Sequence, residues 1–221
     1  MTSKSRPRYG LRIGLAFRLM LALALALPAG AAVAAPADEA RAAMEETVAD
    51  VLAILRNDAL PLQAKRDRIQ QIAFDRFDFV TMSKLVLKRD WKKFDAAQQQ
   101  EFVEEFKEHL SARYGENLGR YERESVQVTS HRAENNGDVT VMTVIRGGQY
   151  DGTPVNYRLR NASEWRVIDV VIENVSLVSS FRQQFADVLA RSGPSGVLTK
   201  LKQRNAARAA AKSAGGPADG G

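Results

Sequence analysis

The spacing of apolar residues along the chain changes near residue 125. Before that point apolar positions recur every three or four residues, which is typical of amphipathic helices. Helices are predicted over residues 37–57, after Pro61, after a cap at Asp78, and after a D-x-x-Q capping motif that begins at Asp95. Beyond residue 125 apolar and polar residues alternate, which indicates β-strands.

Four strands are predicted, and the links between them are short and rich in Asn, Asp and Gly. Short links between neighbouring strands favour an antiparallel meander. The strands begin at Ser125, Val139, Val155 and Trp165. Because the helices come first and the strands follow, the predicted class is α+β.

The last predicted strand, Trp165–Ile172, is mostly apolar on both faces, so we expect both faces to be covered. It leads into an amphipathic helix in which Phe181 and Phe185 are four residues apart. Gly193 and Pro194 should end that helix before a final helical segment. The folded domain is expected to end at residue 205. Residues 206–221 are rich in Ala and Gly, and we expect them to form a disordered tail.

The long predicted helix after Asp95 carries a line of large, mostly aromatic side chains at steps of four and three. Such a line has two interpretations: it belongs to a packed core, or it lines a cavity. The two-sided apolar strands favour a cavity, because they add more apolar surface to be covered. The line consists of Phe102, Phe106, Leu110, Tyr114, Leu118 and Tyr121.

Residues 1–34 have the features of a cleaved signal peptide. Five basic residues precede or flank an apolar core at Leu19–Leu27, and Ala32-Val33-Ala34 provides the small residues of a cleavage site. Without these five residues, 27 of the 32 basic residues remain against 26 acidic ones, a net charge of +1. Binding to nucleic acid is therefore not expected. With no cysteine in the chain, the domain should fold without disulfides in an oxidising compartment, and we expect the bacterial periplasm.

No catalytic or metal-binding motif is present in the sequence. His109 and His131 stand alone and are interpreted as surface residues, so no metal site is expected. Asp169 is a carboxylate within an apolar strand, and it is either a structural residue paired with an arginine or backbone N–H groups, or a general base in a pocket.

Three arginines on neighbouring strand positions admit two interpretations of equal weight. Either they belong to a solvated strand face or pair with Asp169 and Glu173, or they form a basic rim for a phosphate headgroup or an acidic partner. The three are Arg158, Arg160 and Arg166.

The segment Trp165–Phe185, with sequence WRVIDVVIENVSLVSSFRQQF, resembles the signature of the MlaC family of periplasmic lipid-binding proteins, which includes the toluene-tolerance auxiliary proteins. The resemblance extends upstream to Phe77-Asp78-Phe79, Trp91 and Gln98, and covers about Val48 to Leu201. One departure is Asn174, where the family's E-G-V-S run has glycine. Asparagine is among the residues that best tolerate the left-handed backbone.

This resemblance implies a cone-like fold of the nuclear-transport-factor type, in which helices surround a curved sheet and an apolar cavity. It implies a monomeric carrier that shuttles phospholipid between an MlaA–porin complex of the outer membrane and an MlaD-type ring of an inner-membrane ABC transporter. A related branch binds hopanoids, so the cargo could also be a polycyclic lipid. No cofactor is implied beyond the bound phospholipid.

We therefore predict a lipid carrier that is not an enzyme. A small isomerase-like enzyme that uses Asp169, and a periplasmic adaptor that binds no lipid, remain as alternatives. Strand alternation and the aromatic line nominate the residues that contact lipid, although only one face of each strand can be correct. They are Tyr114, Leu118, Val141, Val144, Val167, Val170, Ile172 and Phe181.

Overall fold

The computed structural model describes residues 35–115, 121 and 123–214. The predicted leader, residues 1–34, lies outside this part of the chain. Within the described residues, four α-helices and a 3-10 helix precede an antiparallel sheet, and a long helix follows it. The predicted α+β class is confirmed.

Two of the N-terminal helices begin at residues whose side chains cap them. The carboxylate of Asp78 accepts a hydrogen bond from the Thr81 N–H at 2.8 Å, and the side chains of Asp95 and Gln98 each accept one from the other's N–H. The capping motif predicted at Asp95 is thus present. The helices are α1 (Pro36–Arg56), α2 (Leu62–Arg76), α3 (Phe79–Leu87) and α4 (Ala96–Gly115), with the 3-10 helix (Lys88–Lys93) between α3 and α4.

The sheet is a meander in which each strand pairs with the next one along the chain. It has five strands in the described part of the chain rather than the four predicted, because the chain forms one more hairpin after the fourth strand. The strands are β1 (Ser125–Ala133), β2 (Val139–Arg146), β3 (Pro154–Asn161), β4 (Trp165–Ile172) and β5 (Val175–Ser176).

The turn between β4 and β5 explains the additional strand. Glu173 and Asn174 have φ values of 48° and 66°, the pair of left-handed residues that a type I′ turn requires. The turn brings Val175 opposite Ile172. Asn174 therefore adopts the left-handed backbone at the position where the family signature has glycine.

The final helix, α5 (Leu177–Ala214), is interrupted at Gly193, whose φ of 61° and ψ of −164° are not helical. The break predicted at Gly193 and Pro194 is therefore present as a kink between two helical segments. The expected tail is wrong for residues 206–214, because α5 continues to Ala214. Alanine has the highest helix propensity, so this Ala-rich stretch extends the helix. Residues 215–221 lie outside the described residues.

The described residues form two apolar clusters. The helical cluster joins α3, α4, the 3-10 region and both segments of α5, and it contains Met82, Phe102, Phe106, Phe181, Phe185 and Leu201. The sheet cluster lies between α1 and one face of the sheet, and it contains Ala40, Met44, Val139, Val141, Leu159, Val167 and Val170. The aromatic line of α4 thus packs against other helices, as a core, up to Leu110.

Candidate functional site

A groove of about 400 Å³ lies between α1 and the edge strand β1. The α1 residues that line it recur at steps of three and four, so they form one face of the helix. The β1 residues that line it are two apart and share one face of the strand. The lining consists of Glu45, Val48, Ala49, Leu52, Ala53, Arg56, Val126 and Val128.

The groove is continuous with the sheet cluster. Val48 and Val128 line the groove and also pack against the buried residues of that cluster. The groove is therefore the open margin of one apolar layer between α1 and the sheet. Ala49 and Ala53 carry small side chains on the α1 side, which leave the space between helix and strand unfilled.

Each end of the groove has a charged residue on α1. Glu45 is compensated, because its carboxylate is 2.8 Å from the Nε of Arg41. Arg56 occupies the last turn of α1, where the negative end of the helix dipole favours a cation. Among the described residues, no carboxylate pairs with Arg56, and the nearby Asp58 pairs with Arg123 at 3.0 Å.

The predicted lipid-contacting residues lie in three different environments. Val141, Val167 and Val170 are buried in the sheet cluster, and Ile172 packs against it. Val144 lies on the opposite face of β2 from Val141, as alternation requires. Phe181 lies in the helical cluster. The side chain of Tyr114 and the whole of Leu118 lie outside the described part of the chain. None of the six described side chains lines the groove.

A β-bulge explains why Val167 and Val170 share one cluster although strict alternation would separate them. Arg158 pairs with Asp169 and Leu159 with Val167, so Ile168 is the extra residue of β4. The bulge changes which face of β4 the following side chains occupy. The sequence pattern alone contains no signal for such an insertion.

Asp169 has a structural environment outside the groove. Its carboxylate accepts hydrogen bonds from the Ser176 hydroxyl at 2.6 Å and from the Val178 N–H at 3.1 Å. Ser176 in turn accepts from the Ser179 N–H, so the two residues cap the first turn of α5. Arg158 approaches the Asp169 carboxylate to 3.9 Å. This arrangement matches the structural interpretation of Asp169.

The three strand arginines face carboxylates rather than the groove. Arg160 donates two hydrogen bonds to the buried Asp138, at 2.6 and 3.0 Å, and Arg166 donates to Glu164. Burial alone would raise the pKa of Asp138, but hydrogen bonds from Arg160 and Asn136 hold it below its usual value. A headgroup rim at these arginines is therefore not supported.

The interpretation of both histidines as surface residues is wrong for His109, which is 2% exposed. Its Nδ1 lies 3.0 Å from the Asn205 oxygen. Its ring packs against the Phe181 ring in a T-shaped arrangement, with the two ring planes 85° apart. His131 is partly buried and lies 3.4 Å from Asp38 of α1.

Within the described residues no group of side chains could hold a metal ion, and none of the helices is long and apolar enough to cross a membrane.

The groove and the fold can be compared with known proteins. The family model described as MlaC protein matches residues 45–203, which include every residue that lines the groove. The chain belongs to the MlaC family. The match also includes the kink at Gly193, the whole helical cluster, and the sheet cluster except for Ala37, Ala40 and Met44.

Two named proteins are similar in sequence to this MlaC chain. The toluene tolerance protein ttg2D of Pseudomonas putida is 28% identical over 160 residues, 72% of this chain and 74% of that protein. The intermembrane phospholipid transport system binding protein MlaC of Haemophilus influenzae is 24% identical over 181 residues, 74% of this chain and 85% of that protein.

A solved structure is similar to this MlaC chain over most of its length. It is the phospholipid-binding protein of Ralstonia solanacearum in complex with a phospholipid, with 28% identity and a TM-score of 0.69. The similarity covers 77% of this chain and 99% of the other. The MlaC resemblance inferred from the sequence is confirmed.

Proposed function

We propose that this protein is a periplasmic phospholipid carrier that holds an acyl chain in the groove between α1 and β1. The observation that carries the proposal is the open apolar groove, which continues into the layer between α1 and the sheet. Support comes from the similar Ralstonia solanacearum protein, which was solved with a phospholipid. The names of the two MlaC relatives support a role in lipid transport or solvent tolerance.

Burial of acyl methylenes provides the binding energy. Each buried CH₂ contributes about 0.8 kcal/mol, so ten buried methylenes contribute roughly 8 kcal/mol relative to water. Before the cost of immobilising the lipid is subtracted, that free energy corresponds to a dissociation constant of about 1 µM. The free energy of moving the acyl chain from a bilayer into the groove is close to zero, because the chain has apolar surroundings in both places. A groove of this kind therefore suits a carrier that must both accept and release lipid.

A two-chain lipid needs more room than the groove offers. The volume of the groove, about 400 Å³, is at the lower end of the roughly 300–1,000 Å³ of typical ligand pockets. We infer that α1 moves away from the sheet when the second chain binds, so that Val141, Val167 and Val170 come into contact with lipid. Two polar contacts join α1 to the sheet, Trp165 to Glu39 at 3.3 Å and His131 to Asp38 at 3.4 Å, and both are long and partly exposed.

We also propose that this protein has the partners implied by its resemblance to the family. The carrier would act as a monomer and exchange phospholipid with an MlaA–porin complex and with the MlaD-type ring of an ABC transporter. Transient contact with each complex suits a shuttle. The cleaved leader at residues 1–34 would deliver the protein to the periplasm.

Lipid extraction and transfer test the proposal. The purified protein should release about one phospholipid per molecule into organic solvent, and mass spectrometry should identify it. The loaded protein should also transfer labelled phospholipid from donor to acceptor vesicles. A polycyclic lipid in the extract would reassign the cargo to the hopanoid class. An empty extract together with no transfer would contradict the carrier and favour the adaptor.

A further inference from the structure

The groove combines an apolar lining with one uncompensated cation. Of its eight lining residues, six are apolar and two are charged, and the carboxylate of Glu45 is already paired with Arg41. Arg56 is exposed at the other end of the groove. Arg56 follows Glu45 by eleven positions along α1, which corresponds to about 16 Å of helix. The groove therefore has a polarity, with a cation at one end of an apolar channel.

The carboxylate that follows Arg56 most closely in the chain is engaged elsewhere. Asp58 pairs with Arg123 at 3.0 Å. In the described part of the chain, no carboxylate forms an ion pair with the Arg56 guanidinium. The strand arginines differ in this respect, because Arg160 and Arg166 each donate hydrogen bonds to a neighbouring carboxylate.

A guanidinium at the end of an apolar channel fits an amphiphile with an anionic head. Arginine presents a planar fork of N–H donors that matches two oxygens of a phosphate. With a neutral lipid the guanidinium donors would stay hydrogen-bonded to water and would add nothing to the binding free energy. The chemistry therefore selects for a phosphate next to the acyl chains.

We propose that Arg56 binds the lipid phosphate and orients the cargo, with its head at the C-terminal end of α1 and its acyl chain directed along Leu52 and Val48 toward the sheet cluster. This inference rests on the proposed carrier function. It adds a specificity: the protein prefers lipids that carry a phosphate over neutral lipids with the same chains.

A competition between two lipids with identical acyl chains tests the preference. The purified protein is incubated with vesicles that contain equal amounts of dioleoyl phosphatidylglycerol and dioleoylglycerol, then repurified, and the bound lipids are quantified by mass spectrometry. The wild type should hold the phosphate-bearing lipid in about tenfold excess, as expected for a charge-assisted contact at a partly exposed site. Arg56→Gln should abolish the excess, so that the two lipids are bound in nearly equal amounts.

Two further variants make the result specific. Arg89→Gln removes the same charge from an exposed position in the 3-10 helix, outside the groove, and should keep the wild-type excess. Arg56→Lys keeps the charge without the fork and should show an intermediate excess. Glycerol 3-phosphate, a soluble source of the same phosphate, should compete only weakly because it lacks the chains.

The outcomes separate this inference from the carrier function. If the wild type binds lipid and Arg56→Gln retains the full excess, the role of Arg56 is refuted and the carrier stands. A contribution of Arg56 to the helix dipole alone would lower the stability of the variant and leave the lipid ratio unchanged, which also refutes it. If the wild type binds neither lipid, the carrier function itself fails.

Discussion

Asp169 shows how a residue suited to catalysis can have a structural task. Its two carboxylate oxygens accept from Ser176 and from the Val178 N–H, and these contacts join β4 to the start of α5. The sequence indicates that Asp169, a carboxylate within an apolar strand, needs partners. Its partners Ser176 and Val178 are not predictable from the sequence, because they become neighbours only through the β4–β5 turn.

The variant Asp169→Asn should be destabilised without losing lipid. An amide has one accepting oxygen, so a donor that now meets the carboxylate is left unsatisfied at a buried site, which costs about 1–3 kcal/mol. Urea unfolding should show this loss, whereas Asp187→Asn, at an exposed position of α5, should unfold like the wild type. Loss of bound lipid from a variant of unchanged stability would indicate a functional Asp169 instead.

His109 should make stability depend on pH. Burial lowers the pKa of His109 below its usual 6.5, against the opposing hydrogen bond of Asn205 and with the help of nearby arginines. The unfolded chain therefore binds a proton at a higher pH than the folded one. The free energy of unfolding should fall as the pH drops below about 6.5 toward the lowered pKa.

The variant His109→Gln isolates this contribution. Unfolding free energies of the wild type and the variant are compared between about pH 7 and pH 5. The wild type should lose more stability across this range than the variant, because His131 and the carboxylates are common to both. Parallel curves for the two proteins would show that His109 does not couple folding to protonation.

At the level of elements, the kink in α5 directs the second helical segment back onto the helical cluster. Val197, Leu198 and Leu201 follow Gly193 and are buried in the same cluster as Phe185. Gly193-Pro194 was recognisable in the sequence as a helix break. The continuation of α5 to Ala214 was not, because a stretch rich in Ala and Gly is typical of disorder, whereas its alanines here favour the helix.

The variant Gly193→Ala should lower the stability of the fold. Its Cβ would meet no atom within 4 Å, so the cost comes from the backbone, whose φ of 61° and ψ of −164° disfavour a side chain. About 1–3 kcal/mol is expected, measured by chemical unfolding. Ser195→Ala, an exposed change two residues away, is the control. Equal stability of both variants would mean that the kink relaxes without strain.

At the level of the whole domain, the two apolar clusters differ in how completely they are covered. The helical cluster is closely packed around Phe102, Phe106, Phe181 and Phe185, whose ring centroids lie 5.1–6.4 Å apart where they meet. The sheet cluster opens into the groove on the α1 side. We infer that lipid exchange involves α1 and the sheet while the helical cluster keeps its packing.

The order of elements and the turns were predictable because they depend on local periodicity and on Asn, Asp and Gly positions. The groove was not predictable, although Val48, Leu52, Val126 and Val128 are apolar residues within the predicted first helix and first strand. Periodicity reports that a face is apolar and does not report what covers it. Phe181 illustrates the point, because its spacing fits a cavity lining and its side chain is packed against Phe106.

Lipid content of a groove-filling variant tests the central claim most directly. Ala49→Trp places a large ring in the groove, whereas Ala42→Trp places the same ring on an exposed position of α1 outside it. After identical purification and solvent extraction, the wild type and Ala42→Trp should each yield about one phospholipid per protein, and a folded Ala49→Trp should yield much less. Equal lipid in both tryptophan variants would contradict a binding site between α1 and β1.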